Sequence, residues 1–344
     1  MPSPTTTTNN RKGQNMTPST TVTMQAVLQH GYGTADTWNV GQIAVPEITD
    51  KQVLVKVAAA GLDRGTWHLM TGLPYLGRLA FGLRKPKNPV PGRDLAGTVV
   101  AVGSSVTRFT VGDTVFGIGS GTFAEYAAAR EDKLARTPTN LTLEQAAVVP
   151  ISGLTALHAL CDTGHVEAGQ NVLIVGASGG VGSYAVQIAK SFGANVTGVC
   201  STAKIDLVRS LGADQVIDYT QADFADGTEH YDVIIDIGGS SPISRLRRAL
   251  THKGTLVIVG GESGGKLTGM GRQLRAVARS PFVSQRLTML VPKEHYADIE
   301  KLTELIEGGS VTPSVGHTYP LDQAADAMRQ LVAGKVHGKI AITT

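Results

Sequence analysis

The chain has only two cysteines in 344 residues, Cys161 and Cys200. That excludes a disulfide scaffold and any multi-cysteine zinc lobe, and two reduced thiols fit a cytoplasmic setting. Long apolar runs are missing too: nothing approaches the roughly 20 residues that cross a bilayer. Surplus charge is also scarce. The formal balance is +3, and Arg11 and Lys12 sit in a leading segment without acids. No whole-chain basic field argues for a nucleic-acid or membrane partner, and neither is expected.

Residues 1–23 are mostly Thr, Ser, Asn and Pro, with almost nothing to bury, so a disordered tail is expected there. The tail lacks the apolar centre of a secretory signal and the amphipathic pattern of a transit peptide. It reads as a floppy extension, or as a start placed ahead of Met24.

Apolar residues reach 42% and glycines number 41, which indicates a packed protein with many tight turns. From Met24 onward, β-rich runs such as QVLVKVAAAG (52–61) and GTVVAVG (97–103) are bounded by Gly, Pro and Asp. They predict a largely antiparallel β domain. A helix is expected from Thr142 to about Ala159, opening on a Thr-Leu-Glu cap. Near-continuous apolar strands then alternate with helices: NVLIVG (171–176), NVTGV (195–199), QVID, DVIIDIG and TLVIVG (255–260). Such alternation implies a parallel sheet covered on both faces. The fold class is therefore α/β. The expected division is a β domain over 24–145, completed by 293–344, and a doubly wound Rossmann domain over 146–292.

The strongest motif is IVGASGGVGSYAVQIAK, which places Ala177, Ser178, Gly179, Gly180, Val181 and Gly182 at a strand-to-helix turn. Gly179 lets the backbone approach a pyrophosphate, and Gly182 lets the helix pack closely on the sheet. The helix N-terminus offers free N–H groups to the phosphate charge. A glycine motif alone is weak, but here it follows a strand and opens an amphipathic helix. At the end of the next strand an NAD-binding chain carries an acid for the ribose. This sequence has Ser201, Thr202 and Lys204, with no carboxylate before Asp206. Hydroxyls and a lysine suit a 2′-phosphate, so NADPH is expected over NADH, unless Lys204 is merely a solvated lysine.

With VKVAAAGL, PGRDLAGTVVAVG, VGDTVFG and AAVVPISGLTALHAL beside GASGGVG, the chain from about Met24 resembles the medium-chain dehydrogenase/reductase superfamily. It is most similar to the zinc-independent quinone oxidoreductase (zeta-crystallin-like) branch. The resemblance implies a GroES-like first domain, a cofactor cleft between domains, and a homodimer paired through an edge strand near 286–291. It implies nicotinamide contacts from the loop at Asp63, from Thr155, and from residues near Gly238 and Gly260. Ser201, Lys204 and Tyr219 match the family's 2′-phosphate contacts. The superfamily's zinc-ligand positions correspond to Asp63, to Arg93 and Asp94, and to a residue at or beside Ile151. Arg93 would repel a divalent cation, and Cys, His and carboxylate are the ligands zinc prefers. No metal is expected.

Without a metal, a simple ketone has no Lewis acid for its developing alkoxide. A quinone or α,β-unsaturated carbonyl spreads that charge, so hydrogen bonds and placement suffice. His68, in GLDRGTWHLMTG, is the candidate proton donor, since histidine suits proton transfer near neutrality; a structural histidine is the other reading. The loop 73–91, mixing Tyr75, Leu76, Leu79 and Phe81 with Arg78, Arg84, Lys85 and Lys87, is either a lid for an apolar substrate with an acidic group or a variable surface loop. The leading function is an NADPH-dependent quinone or enone oxidoreductase. An NAD(P)-dependent alcohol or aldehyde dehydrogenase and a redox-inactive NADPH-binding sensor are the alternatives.

Overall fold

Two sheets organise the chain, and the spacing of apolar residues decides which segment joins which. The computed structural model describes residues 22–260, 265 and 267–344. The segment expected to be a disordered tail therefore lies almost wholly outside the described residues.

The first sheet is built around Gln52–Leu62, in which Val53, Val55 and Val57 are buried and Lys56 is exposed, the period-2 signature of a half-buried strand. Toward its end the strand is buried on both faces. Ala60 and Leu62 enter the first domain's apolar cluster, whereas Ala59 enters the cluster of the second domain. The spatial order is Val315–Pro320, Lys339–Thr343, Gln52–Leu62, Asp94–Val102, Thr114–Ile118 and Leu134–Arg136, with Tyr126–Arg130 also paired to Gln52–Leu62. The late strand Lys339–Thr343 runs antiparallel to Gln52–Leu62, with Ile340 opposite Leu62 and Thr343 opposite Ala59.

The second sheet is six-stranded and parallel, in the order Gln215–Asp218, Asn195–Cys200, Asn171–Val175, Tyr231–Asp236, Leu250–Ile258 and Arg286–Met289. The chain starts in the middle, at Asn171–Val175, winds outward one way, then crosses to Tyr231–Asp236 and winds the other. A crevice opens between those two central strands at their C-terminal ends, the position where doubly wound folds bind ligands.

One expected element is split. The helix foreseen from Thr142 to Ala159 is two helices, Leu143–Ala147 and Pro150–His158, followed by a π-helical turn at Ala159–Gly164. Pro150 is the cause, because its ring has no N–H to give and would clash with the carbonyl one turn back. It sits instead at the first position of a new helix, where that N–H is not needed. The cap is a box between Thr142 and Gln145, whose backbone N–H donates to Thr142 Oγ1 at 3.3 Å while the Gln145 side chain accepts from the Thr142 N–H at 3.0 Å. Glu144 takes no part in it.

Candidate active site

The glycine turn joins Asn171–Val175 to the helix Gly180–Ser191. Gly182 is required by the fold itself, since a Cβ there would lie 2.2 Å from the Gly176 carbonyl oxygen. Gly179 is different. A Cβ there would meet nothing closer than 3.4 Å, so internal packing leaves the space beside it open to a ligand. The first helical N–H groups, at Gly180, Val181 and Gly182, have no intrahelical acceptor and face an anion-ready terminus. Ala177 and Ser178 are buried in the turn. Gly238 and Gly260 follow the next two strands, and the Gly238 N–H donates to the Val175 carbonyl at 3.0 Å, which sets Gly238 beside Gly176 at the crevice.

Against that helix start the structure places Lys339, a residue that motif reading missed. A Cβ on Gly180 would touch its Cδ at 2.9 Å. The Lys339 ammonium is 2% exposed, donates to Ser152 Oγ at 2.9 Å and stands 3.9 Å from Asp94 Oδ2. Asp94 is fully buried, and its Oδ1 accepts from the Ile151 N–H at 3.0 Å. Burial pushes the Asp94 carboxyl up to about 8, with Lys339 opposing the rise and the Asp63 charge adding to it. Burial therefore favours the protonated carboxyl of Asp94 over the charged one.

Asp63 has a clear local task. It caps the helix Arg64–Thr71, with Oδ1 accepting from the Thr66 N–H at 2.7 Å and from the Thr66 hydroxyl at 3.0 Å. Its Oδ2 is buried without a hydrogen-bond partner among the described residues. On the same helix the His68 ring is half-buried and packs edge-on against Trp67, with centroids 4.8 Å apart. Nδ1 of His68 lies 2.8 Å from the Leu73 carbonyl, so it is the nitrogen that carries a donated proton, and Nε2 is left for other partners. Thr155, on Pro150–His158, donates to the Ile151 carbonyl at 2.6 Å.

The end of the second strand of the parallel sheet is more mixed than the sequence implies. The Ser201 hydroxyl makes no hydrogen bond among the described residues, and Tyr219 is 58% exposed. Lys204, however, spends its ammonium on two carbonyls, Val336 at 2.8 Å and Gly334 at 3.1 Å, and burial lowers its pKa. Thr202 donates to Asp218 Oδ2 at 2.5 Å. Asp218 is a carboxylate held below its usual range by Thr202 and Thr220. A search along the second strand could not find it, because it ends the neighbouring strand, paired with Cys200.

The loop 73–91 reaches across to the other domain. The Leu76 N–H donates to the Leu267 carbonyl at 3.0 Å, and Gly269 packs so closely on Pro74 that a Cβ would come within 2.8 Å.

Comparison with known proteins fits this geometry. A family profile described as alcohol dehydrogenase GroES-like domain matches residues 49–139, and one described as zinc-binding dehydrogenase matches residues 211–342. The chain is 32% identical over 319 residues to the chloroplast envelope quinone oxidoreductase homolog of Arabidopsis thaliana, covering 88% of this chain and 92% of that protein. The chain belongs to the medium-chain dehydrogenase/reductase superfamily, in its quinone oxidoreductase branch. It is also 34% identical over 338 residues to the chloroplastic NADPH-dependent alkenal/one oxidoreductase of Arabidopsis thaliana, covering 93% of this chain and 79% of that one. The solved quinone oxidoreductase of Coxiella burnetii superposes with a TM-score of 0.83 at 27% identity, covering 94% of this chain and all of that one.

The second profile's description mentions zinc, and the residues here do not fit that ion. The superfamily's ligand positions do converge, since Ile151 bonds Asp94 and the Asp63 charge acts on Asp94. Yet a lysine ammonium occupies the same surroundings, and Arg93 turns away to pair with Glu294 at 2.7 Å. Among the described residues no three His, Cys, Asp or Glu side chains are grouped as a metal would need.

Proposed function

We propose that this protein is an NADPH-dependent oxidoreductase that reduces quinones or α,β-unsaturated carbonyls without zinc. The observation that carries the reading is Lys339: a buried ammonium stands beside both the helix N-terminus of the glycine turn and Asp94, an acid at one of the superfamily's metal positions. It serves a dinucleotide and repels a cation. Bound NADPH supplies the hydride. The N–H groups of residues 180–182 and the Lys339 ammonium hold the pyrophosphate, while Gly238, Gly260 and Thr155 border the nicotinamide side. Asp63 sets the start of the helix that carries His68. With Nδ1 of His68 donating to Leu73, Nε2 is the atom that, in the imidazolium form, would give its proton to the reduced acceptor and leave a neutral ring still bonded to Leu73. A conjugated acceptor delocalises its charge and needs no Lewis acid. The outer edge of Arg286–Met289, unpaired at the end of the sheet, supports pairing of two copies there.

A panel of acceptors with NADPH oxidation as the readout tests the reading. Quinones and alkenals should turn over, simple ketones and alcohols should not, and prolonged chelation should leave the rates unchanged. Stoichiometric zinc lost together with activity would overturn the metal-free mechanism. Tight NADPH binding without turnover of any acceptor would make the protein a sensor.

His68→Ala should lower kcat by about 10²-fold, the low end for general acid catalysis, because water also supplies protons. The loss should be larger with enones than with quinones, whose reduced anion is the weaker base, and NADPH affinity should not change. A kcat that the substitution leaves unchanged with both classes would leave His68 only its bond to Leu73.

Cofactor choice is the third test. Lys204→Glu should weaken NADPH by roughly 10–100-fold, the range for a charge-assisted hydrogen bond, and largely spare NADH. Fluorescence titrations of the unaltered protein giving equal affinities for the two cofactors would remove the preference altogether.

A further inference from the structure

The near-neutral charge of the chain conceals a strong segregation. Residues 64–93 hold Arg64, Arg78, Arg84, Lys85, Lys87 and Arg93, and no acid. Residues 267–293 hold Arg272, Arg275, Arg279, Arg286 and Lys293, and again no acid. Of the chain's 31 basic and 28 acidic residues these stretches take eleven bases and none of the acids, so acids outnumber bases in the remainder taken as a whole. The two stretches meet in space, through the hydrogen bond from Leu76 to Leu267 and the packing of Gly269 on Pro74.

Some of these cations are committed. Arg272 is buried against Asp236, and Arg93 pairs with Glu294. Arg84, Lys85, Lys87, Arg275 and Arg279 are exposed, and none has a carboxylate partner among the described residues. Between them stands an apolar fringe. Leu79 and Leu83 on one side are 66% and 67% exposed, and Leu267 and Leu274 on the other are 70% and 53% exposed. The helix Gly271–Arg279 buries Arg272, Gln273 and Ala276 and turns Leu274 and Val277 outward with Arg275 and Arg279.

We infer that this face docks on the surface of an anionic lipid bilayer. Aliphatic side chains flanked by unpaired cations are the pattern that inserts into a headgroup region while its charges meet anionic lipids. A second copy of the chain is a poor occupant of the loop 78–87 and helix Gly271–Arg279, because face-to-face pairing there would oppose like charges; the edge proposed above for pairing, Arg286–Met289, is not part of the docking face. A protein partner would seat its contacts in pockets. Here the apolar groups protrude, the four leucines with more than half their surface free, and a bilayer accepts protruding groups without shape complementarity. The face adjoins the end of helix Arg64–Thr71, where Arg78 Nε donates to the Gly72 carbonyl at 2.9 Å, and the docking stands independently of the acceptor reading.

The test is flotation of the full chain with vesicles of phosphatidylcholine alone or doped with phosphatidylglycerol, at low and high salt. Binding should require the anionic lipid and weaken at high salt. Replacing Arg84, Lys85 and Lys87 by Gln together should lower partitioning by about a hundredfold, each basic residue near an anionic surface being worth roughly a factor of five. Leu274→Ser with Val277→Ser should lower it by about tenfold while keeping the salt dependence. NADPH affinity and the melting midpoint, unchanged in both variants, show that the fold is intact. Equal binding to both vesicle types, no binding to either, or unchanged partitioning of the Gln variant would overturn the proposal. So would variants that convert a dimer to a monomer in sedimentation, which would make the face a contact between copies.

Discussion

Replacing Lys339 by Met should weaken NADPH and NADH together, by roughly 10–100-fold, the equivalent of one lost charge-assisted hydrogen bond. The parallel loss is the diagnostic part. The pyrophosphate is common to both cofactors, whereas a residue at the 2′-phosphate discriminates between them, as Lys204 is expected to do. Fluorescence titration with each cofactor checks it. A loss confined to NADPH would move Lys339 to the other end of the dinucleotide, and unchanged affinities would remove it from the site. The pH dependence follows from its neighbour. Asp94 titrates near 8 because burial raises it above an ordinary carboxyl. The stability this group contributes is complete below the usual carboxyl range and is lost as pH rises through about 8. Over the same upper interval an ionised Asp94 begins to neutralise Lys339, so dinucleotide affinity should fall. In Asp94→Asn that alkaline fall should disappear.

Arg272→Met should cost about 3–5 kcal/mol of folding stability, the range for breaking a buried ion pair by removing one partner. Arg272 Nη2 lies 2.5 Å from Asp236 Oδ2, and its Nε and Nη2 donate to the Ser241 carbonyl at 3.0 and 2.7 Å. Both side chains are buried, and burial already pushes the Asp236 carboxyl upward against the pull of Arg272. Without the arginine, Asp236 must take a proton or stay charged in an apolar setting, and the Ser241 carbonyl loses its donors. Denaturant unfolding with an unchanged m-value measures the effect. Replacing Asp236 by Leu in the same protein should return much of the loss, since an apolar pair leaves no stranded charge. A single-variant shift below about 1 kcal/mol would show that the site relaxes around the missing partner.

The parts of the site that were legible in the sequence are those in which one local segment does the whole task. The turn from Gly176 to Gly182 could be read because strand, glycines and helix are contiguous, and the steric demand at Gly182 is met by a carbonyl six residues away. The break at Pro150 was equally visible, but the helical periodicity continues across it and hid the stop. Lys339 and Asp218 were out of reach for a different reason. Each arrives through sheet pairing, Lys339 beside the first domain's central strand and Asp218 beside Cys200. Nothing in either residue's neighbourhood along the chain announces a phosphate site. Lys204 shows the converse limit, since its type suits a 2′-phosphate while its ammonium is bonded to the carbonyls of Gly334 and Val336. The segregated basic face was readable all along, but only by counting acids segment by segment.

The position of Lys339 bears on how the protein is made. The glycine turn, its helix and the whole parallel sheet leave the ribosome before Lys339 is translated, and the strand that carries it must still find Gln52–Leu62, close to the beginning of the fold. A nascent chain can therefore present all six strands of the parallel sheet while the glycine turn still lacks Lys339, the cation proposed for it. Ligand binding stabilises only the state that has the full site, so the dinucleotide gives little help during synthesis. On the role proposed for Lys339, binding should favour the state in which the late strand has docked, and a chain clipped before that strand should hold the cofactor weakly.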